Sequence, residues 1–460
     1  MARKNGIGKF LTLLILLVII GGGGFIYLSP QFEQNKPEIT LKSNSFWNLR
    51  DKLKITIFDD SPIKYYKVIF KDNSKEIVLD EKVLNSSTSS VELQLDPPKL
   101  DMFYKGEDIQ IIVEAIDSSK WNFLNGNTNK VSFDLKIDKK KPIANVVANS
   151  RYIKQAGSAI VVVKVADENL KEAYIDFSGK AKYKLTPFYK ENYYVAIIPW
   201  DININFNEFT QVTLVANDMA GNISQAKIPF YIQRFKVKYD NINISEKFIN
   251  QVSTNVLKQM GENVPSNLKE RFIKQNHDLR AKNIETIKQI ALKNISNEII
   301  TDFKIKPFKR LRGSKTAAGY GERRSYFLNG EKIDEAWHLG IDWASVRQAS
   351  IKASNSGTII FNNYLGIYGN TLIINHGMGL ASLYAHTTNQ FVTNGDTIYK
   401  NSKIATTGIS GAVLGDHLHF GILVQGIEVN PIEWMDKNWI KTRIFDILKD
   451  AKKIIDRDSK

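Results

Sequence analysis

"GDHLHFGI", residues 415–422, sets two histidines two positions apart inside an apolar run. The chain has only six histidines in 460 residues, so the pairing asks for a reason. In an extended strand, positions i and i+2 share a face. His417 and His419 therefore project together, with Leu418 turned to the opposite side. Three more histidines, His338, His376 and His386, lie in the stretch just before the pair, and only His277 lies outside it.

That stretch reads as short strands separated by Gly- and Asn-rich turns: "GTIIF", "GNTLIINHG", "GLASLYAH", "DTIYK", "KIATTG" and "HLHFGILV". The pattern predicts a compact antiparallel sheet. Within it "HLGID" supplies His338 and Asp342. A His–Asp pair and one strand histidine make an N₂O donor set. Such a set suits zinc with a fourth position open to water. It leaves His386 and one of His417 and His419 to move protons or stabilise a tetrahedral intermediate. His376, in "NHG", reads as a core or turn histidine. His277, among Gln275, Asn276 and Asp278, reads as a solvated helix residue.

"HLGIDWAS" (338–345), "SLYAH" (382–386) and "GDHLHFGI" (415–422) resemble, in order and spacing, the motifs of the LytM/lysostaphin-type zinc metallopeptidases. The likeness runs over about 303–440, from "GYGERRSYFLNGEKIDEAWHLGID" to "GIEVNPIEW". It implies an enzyme that cuts peptide bonds of bacterial peptidoglycan with a zinc-bound water as nucleophile. It implies one Zn²⁺ held by His338, Asp342 and His419, with His386 and His417 as the catalytic histidines. Tyr320, Arg323, Tyr368 and Asn370 fall in turns that line the groove in this family. Two departures touch no ligand: "SVRQASI" (345–351) follows the aspartate without the usual Pro and Gly, and Asp416 stands where Pro is common. Asp416 reads either as an acceptor that orients a histidine or as a turn cap.

The N-terminus gives the compartment. Arg3, Lys4 and Lys9 precede an uncharged run from Phe10 to Leu28. Nineteen residues at a rise of ~1.5 Å span ~28 Å, close to the hydrocarbon thickness. The basic flank should stay in the cytoplasm, with the rest exported. An uncleaved anchor is the expectation, and a cleaved signal peptide its rival. With no cysteine in the chain, disulfides, thiolate catalysis, cysteine-bound zinc and an acylated lipoprotein anchor are excluded. The net charge of +15 favours polyanions such as an acidic wall polymer. No nucleic-acid-binding signature accompanies it.

From about 38 to 235 the chain alternates apolar and polar residues in short runs such as "KITIF" (54–58) and "QIIVEAI" (110–116). "DDSPIKYYKVIF" (59–70) parallels "ADENLKEAYIDF" (166–177), and "IIVEAID" (111–117) parallels "TLVANDM" (213–219). A period of ~100 residues predicts two immunoglobulin-like β-sandwiches, read as a rigid stalk. Ser245 is placed to cap a helix with Phe248, Val252, Val256 and Met260 on one face. The C-terminal "RIFDILKDAKKIIDR" predicts an amphipathic helix that packs on the catalytic domain or on another chain.

The expected organisation is mainly β. A cytoplasmic tail (1–9) and transmembrane anchor (10–28) precede Ig-like domains at 38–140 and 141–235. A helical spacer (236–302), a LytM-type zinc peptidase domain (303–440) and a C-terminal helix (441–460) follow. The expected location is the inner membrane, single-pass, with the catalytic domain in the periplasm or wall space. The partners expected are peptidoglycan and the membrane, and no nucleic acid. The alternative is a non-catalytic peptidoglycan-binding or hydrolase-activating module of the same fold.

Overall fold

The computed structural model describes residues 6–42, 45–73, 75–85, 87–101 and 104–458. Arg3 and Lys4, expected to form the basic flank, lie outside the described residues. The fold is mainly β, opened by an apolar helix, Gly6–Leu28, whose segment Gly8–Leu28 is long and apolar enough to cross a membrane. Contacts divide the chain into two compact units. The first holds residues 1–142 with the loops 167–171 and 217–223; the second holds the remainder.

In the first unit two sheets enclose one core. One orders Glu38–Leu41, Leu53–Phe58 and Ser90–Leu95; the other orders Phe46–Trp47, Thr128–Ile137, Asp108–Asp117, Ile63–Lys71 and Glu76–Val83. The alternation of "LKITIF" puts Leu53, Ile55 and Ile57 inside, where they meet Phe70, Ile111 and Val113. This is the period-2 burial that a half-covered sheet demands.

The second unit also starts with two sheets. One orders Thr186–Pro187, Tyr193–Pro199, Ser158–Ala166 and Ile143–Asn149, and the other Ala181–Lys184, Leu170–Phe177, Val212–Asp218 and Ile223–Ile228. Within this unit the sheets do not stand alone. Ile160, Val162, Val195 and Ile197 share one hydrophobic cluster with Trp343, Phe420, Trp434 and Leu448 from the C-terminal third. Polar contacts fix the register of the two layers. Glu433 accepts from the Ser158 N–H at 2.9 Å, and Gln425 Nε2 donates to the Ile197 carbonyl at 3.0 Å.

Two sequence expectations change here. Residues 238–243, placed in the helical spacer, form a strand, Lys238–Asn243, paired in parallel with Glu322–Leu328. Helical segments follow at 246–259 and 268–293, and the Ser245 side chain caps the first by accepting from the Phe248 N–H. The C-terminal helix Asp446–Asp458 packs on Ile143–Asn149 and Ser158–Ala166 of the sandwich. Leu448, Ala451 and Ile455 recur every three or four residues and so make a single buried stripe.

The site is positioned by an antiparallel sheet. Its order is Lys315–Ala318, Ile341–Ala344, Leu418–Val424, Leu380–Ala385, Asn370–Gly377, Gly357–Tyr364 and Thr397–Ile398, with Ile427–Val429 added beside Leu418–Val424. The "LHFGILV" strand is therefore central and buried along its whole length. Phe420 stacks on Trp343 with ring centroids 4.9 Å apart, which holds two adjacent strands in register beneath the histidines.

Candidate metal centre

The pleat and the register bring the donors together. Asp342 faces His419 across one pair of strands, and Ala385, just before His386, faces His419 across the next. His338 ends the neighbouring strand Glu331–His338. The chain therefore converges on one point from three segments far apart in sequence, 338–342, 386 and 417–419. The ligand atoms of His338, Asp342 and His419 all lie within 4.8 Å of one another. His338 Nε2 is 3.0 Å and His419 Nδ1 2.8 Å from Asp342 Oδ1, and the two nitrogens are 3.2 Å apart. All three residues are buried.

Tautomers follow from the acceptors. His338 Nδ1 lies 2.7 Å from the Gly319 carbonyl, which only accepts, so Nδ1 carries the hydrogen. Its Nε2 then presents a lone pair to a carboxylate oxygen and to a second imidazole. The His338 lone pair and the Asp342 oxygen, 3.0 Å apart, repel unless a cation or a proton sits between them. The backbone carbonyl behind His338 is the arrangement that orients a metal-binding histidine. His386 and His417 are held in the same way, with Nδ1 at 2.9 Å from the Ser410 carbonyl and 2.8 Å from the Gly415 carbonyl. Their Nε2 atoms are thus free for chemistry. The two rings sit 4.9 Å apart, and His417 Nε2 is 3.7 Å from Asp342 Oδ1.

Electrostatics agree with neutral imidazoles at His386 and His419. Burial lowers His419 to about 4, against the pull of Asp342. Burial, reinforced by His417 and His419, holds His386 well below its ordinary value. An N₂O set of this kind, kept deprotonated near neutral pH, fits Zn²⁺.

Two local features support the ring positions. His386 adopts φ 60°, a left-handed conformation that costs a non-glycine residue, while its N–H bonds the Tyr368 carbonyl at 2.8 Å. Gly340 lies against the His419 ring. A Cβ there would come 2.5 Å from Nε2 and 2.7 Å from the Phe420 carbonyl, which accounts for glycine inside "HLGID".

Around the donors runs a cleft of about 440 Å³. His338, Asp342, His386, His417 and His419 all line it, as do Phe248, Phe272 and Arg280 of the helical segments. Those helices are anchored: Asn283 Oδ1 accepts from the Ile367 N–H at 2.9 Å.

The flanking residues sort differently from the sequence reading. Tyr368 lines the cleft, and its hydroxyl bonds the Glu428 carboxyl at 2.9 Å. Arg323 does not; it pairs with Glu335 and lies over Trp337 at 4.9 Å. Its neighbour Arg324, which points to the other face of the strand, reaches Asp342 Oδ2 at 3.7 Å. Tyr320 is buried, bonding the Glu428 carbonyl, and Asn370 bonds the Thr387 carbonyl as scaffold. Asp416 ties a turn by accepting from the Gln348 N–H and the Thr407 hydroxyl, and contacts no histidine. His376 is fixed between the Ser356 carbonyl and the Ser382 hydroxyl, away from the cluster. His277 is solvent-exposed. Arg324 and Glu428 were missed in the sequence; the alternation of Glu322–Leu328 was the signal for the first, and the second had none.

Residues 336–431 match Peptidase family M23. The C-terminal domain that carries the cluster belongs to this family, in its LytM-type branch. Over 95 residues the chain is 35% identical to the DD-carboxypeptidase/endopeptidase Mpg of Neisseria meningitidis serogroup B, covering 21% of this chain and 22% of that protein. Over 94 residues it is 32% identical to the peptidoglycan DD-endopeptidase ShyC of Vibrio cholerae, covering 20% and 22%. The chain thus spans about a fifth of the length of these curated relatives. The catalytic domain of the antimicrobial peptidase lysostaphin from Staphylococcus simulans is 25% identical, with TM-score 0.24, covering 27% of this chain and 94% of that domain.

Proposed function

We propose that the protein is a membrane-anchored zinc metalloendopeptidase that hydrolyses peptide bonds of bacterial peptidoglycan. The observation that carries this reading is the convergence of His338 Nε2, Asp342 Oδ1 and His419 Nδ1, with the His338 tautomer set by the Gly319 carbonyl. Zn²⁺ at these three atoms would supply Lewis-acid activation of water and of the scissile carbonyl. His386 and His417 stand beside the donors with Nε2 toward the cleft. One takes the proton of the attacking water, and the other stabilises the oxyanion or protonates the leaving amine. The low proton affinity of His386 suits it to begin as the neutral base. Arg324 lies 3.7 Å from Asp342 Oδ2, the carboxylate oxygen not turned to the histidines.

The DD-endopeptidase names of two relatives favour a cross-link between D-residues as the bond cut. The Gly6–Leu28 helix would hold the chain in the inner membrane, with both β regions and the cleft in the periplasm or wall space. The helical segments that wall the cleft favour an occluded resting state.

The test is digestion of purified peptidoglycan by the detergent-solubilised full chain with zinc, read by mass spectrometry of the muropeptides, beside a His419→Ala control. Conversion of cross-linked dimers to monomers by the parent alone is the expected result. No product from a folded, zinc-loaded chain would replace this reading with a binding or hydrolase-activating module.

A further inference from the structure

The first compact unit contains two carboxylate clusters, and neither belongs to the cleft. Glu33, Asp59 and Asp117 form one; Asp138, Asp167 and Asp218 form the other. In each, the ligand oxygens lie within 4.8 Å of one another. Among the described residues no lysine or arginine forms an ion pair with any of the six. Asp59, Asp117 and Asp218 are buried. Gathering three such charges without a counter-ion is costly.

The two clusters repeat one wiring scheme. Asp117 accepts from the Asn127 N–H through Oδ1 and from Asn127 Nδ2 through Oδ2, each at 2.8 Å. Asp218 accepts from the Asn222 N–H and Nδ2 in the same way, each at 2.8 Å. The same amide also donates to the Glu33 carbonyl in the first case and to the Asp138 carbonyl in the second, both at 2.9 Å. Asp59 Oδ1 accepts from the N–H two residues on, Ser61, at 2.7 Å; Asp167 Oδ1 accepts from Asn169 at 2.8 Å. The correspondence Glu33–Asp138, Asp59–Asp167, Asp117–Asp218 follows the repeat of ~100 residues seen in the sequence.

Both carboxylate oxygens of Glu33, Asp117, Asp138 and Asp218 accept hydrogen bonds, whereas Asp59 keeps one oxygen unused. Asp59 is 3% exposed, its Oδ1 is engaged by Ser61, and its Oδ2 has no hydrogen-bond partner. The carboxylates of the second cluster have no such orphan oxygen: Asp138 Oδ2 accepts from Asn169 Nδ2, and both Asp218 oxygens accept from Asn222. A buried oxygen left unpaired beside two more carboxylates is the mark of a missing cation rather than of a missing donor. The donors are all oxygen, so the match is a hard divalent ion, and irregular carboxylate geometry suits Ca²⁺ better than octahedral Mg²⁺.

We propose that the first compact unit binds one calcium ion, at Glu33, Asp59 and Asp117. The ion would tie the segment that enters the first β region to two of its loops.

The experiment is equilibrium dialysis of the full chain in detergent with radioactive calcium. The protein is first stripped on chelating resin and then given back one equivalent of zinc. The parent should take up one calcium ion with affinity on the order of 0.1–1 mM, the range of extracellular calcium modules. Asp59→Asn should take up none and Asp167→Asn should keep it, with zinc content and circular dichroism unchanged. Calcium should also raise the unfolding temperature of the parent more than equal magnesium does, a reading that needs no variant. No ion on the parent at about 10 mM calcium, or unchanged uptake by a folded Asp59→Asn chain, overturns the proposal.

Discussion

The histidine cleft and the acidic clusters of the first unit each gather three donor residues onto one point, and they differ in which atoms they offer. The cleft presents two imidazole nitrogens and one carboxylate oxygen from strands of two sheets. The acidic clusters present carboxylates alone, from loops and strand ends. Strands hold their donors rigidly and fix the tautomers through backbone carbonyls; loops leave room for the larger, irregular shell that calcium takes. Donor chemistry therefore assigns different metals to the two regions.

The largest effect should come from the ligands. His419→Ala is expected to remove zinc, by elemental analysis, and to lower peptidoglycan hydrolysis on the order of 10³-fold or more. Calcium uptake by the first unit should not change; if both metals are lost together, the two regions are not separate sites. His386→Ala and His417→Ala should lower kcat by roughly 10²–10⁴-fold with zinc retained. Zinc loss in either would move that histidine from chemistry to metal binding.

Gly340→Ala pushes a methyl group into the His419 ring. Zinc affinity should fall by roughly 10–100-fold in a competition titration with a chelating dye, the size seen when ligand orientation is disturbed. Unchanged affinity would mean that the ring moves freely. A smaller change is expected at the helical wall. Asn283→Ala removes the acceptor of the Ile367 N–H and should raise hydrolysis if the helices occlude the cleft. Unchanged or lower activity would make them scaffold.

The smallest effect concerns pH. Burial pushes the Glu428 carboxyl from 4.5 up to about 8, so the folded chain keeps a proton that the unfolded chain releases. That contribution to stability is complete below pH 4.5 and is lost as pH rises through 8. Glu428→Gln cannot lose it. The unfolding temperature of the parent should therefore fall relative to this variant between pH 5 and 8. A constant difference would mean that Glu428 stays ionised against Tyr368.

Excising residues 303–460 is a poor route to these measurements. Trp434, Ile444 and Leu448 share their core with Ile160 and Val162 of the sandwich, and cutting there exposes that face. The run "AIVVV" (159–163) carried a hint of this, because a strand apolar on both faces has two neighbours to cover. The alternating strands and the repeat were legible for the opposite reason: one side of each sheet meets water, and the pattern shows it. The strand Lys238–Asn243 was not legible, because its pairing partner lies about 80 residues away and its own composition is polar.

By itself the sequence determined the candidate donors. Histidines are scarce in this chain and alternate positions in a strand share a face, so His417 and His419 read as one surface and His338 and Asp342 as a pair; which strand histidine joins that pair the spacing left open. It also determined the apolar N-terminal helix, whose length and lack of charge need no partner to be read. Only the tertiary structure decided that Arg324 rather than Arg323 faces Asp342. It alone showed that a sandwich expected as a separate stalk shares a core with the peptidase domain, and that six acids spread between residues 33 and 218 meet as two sets of three. Those outcomes rest on strand register and on loops closing across long separations, which local pattern does not encode.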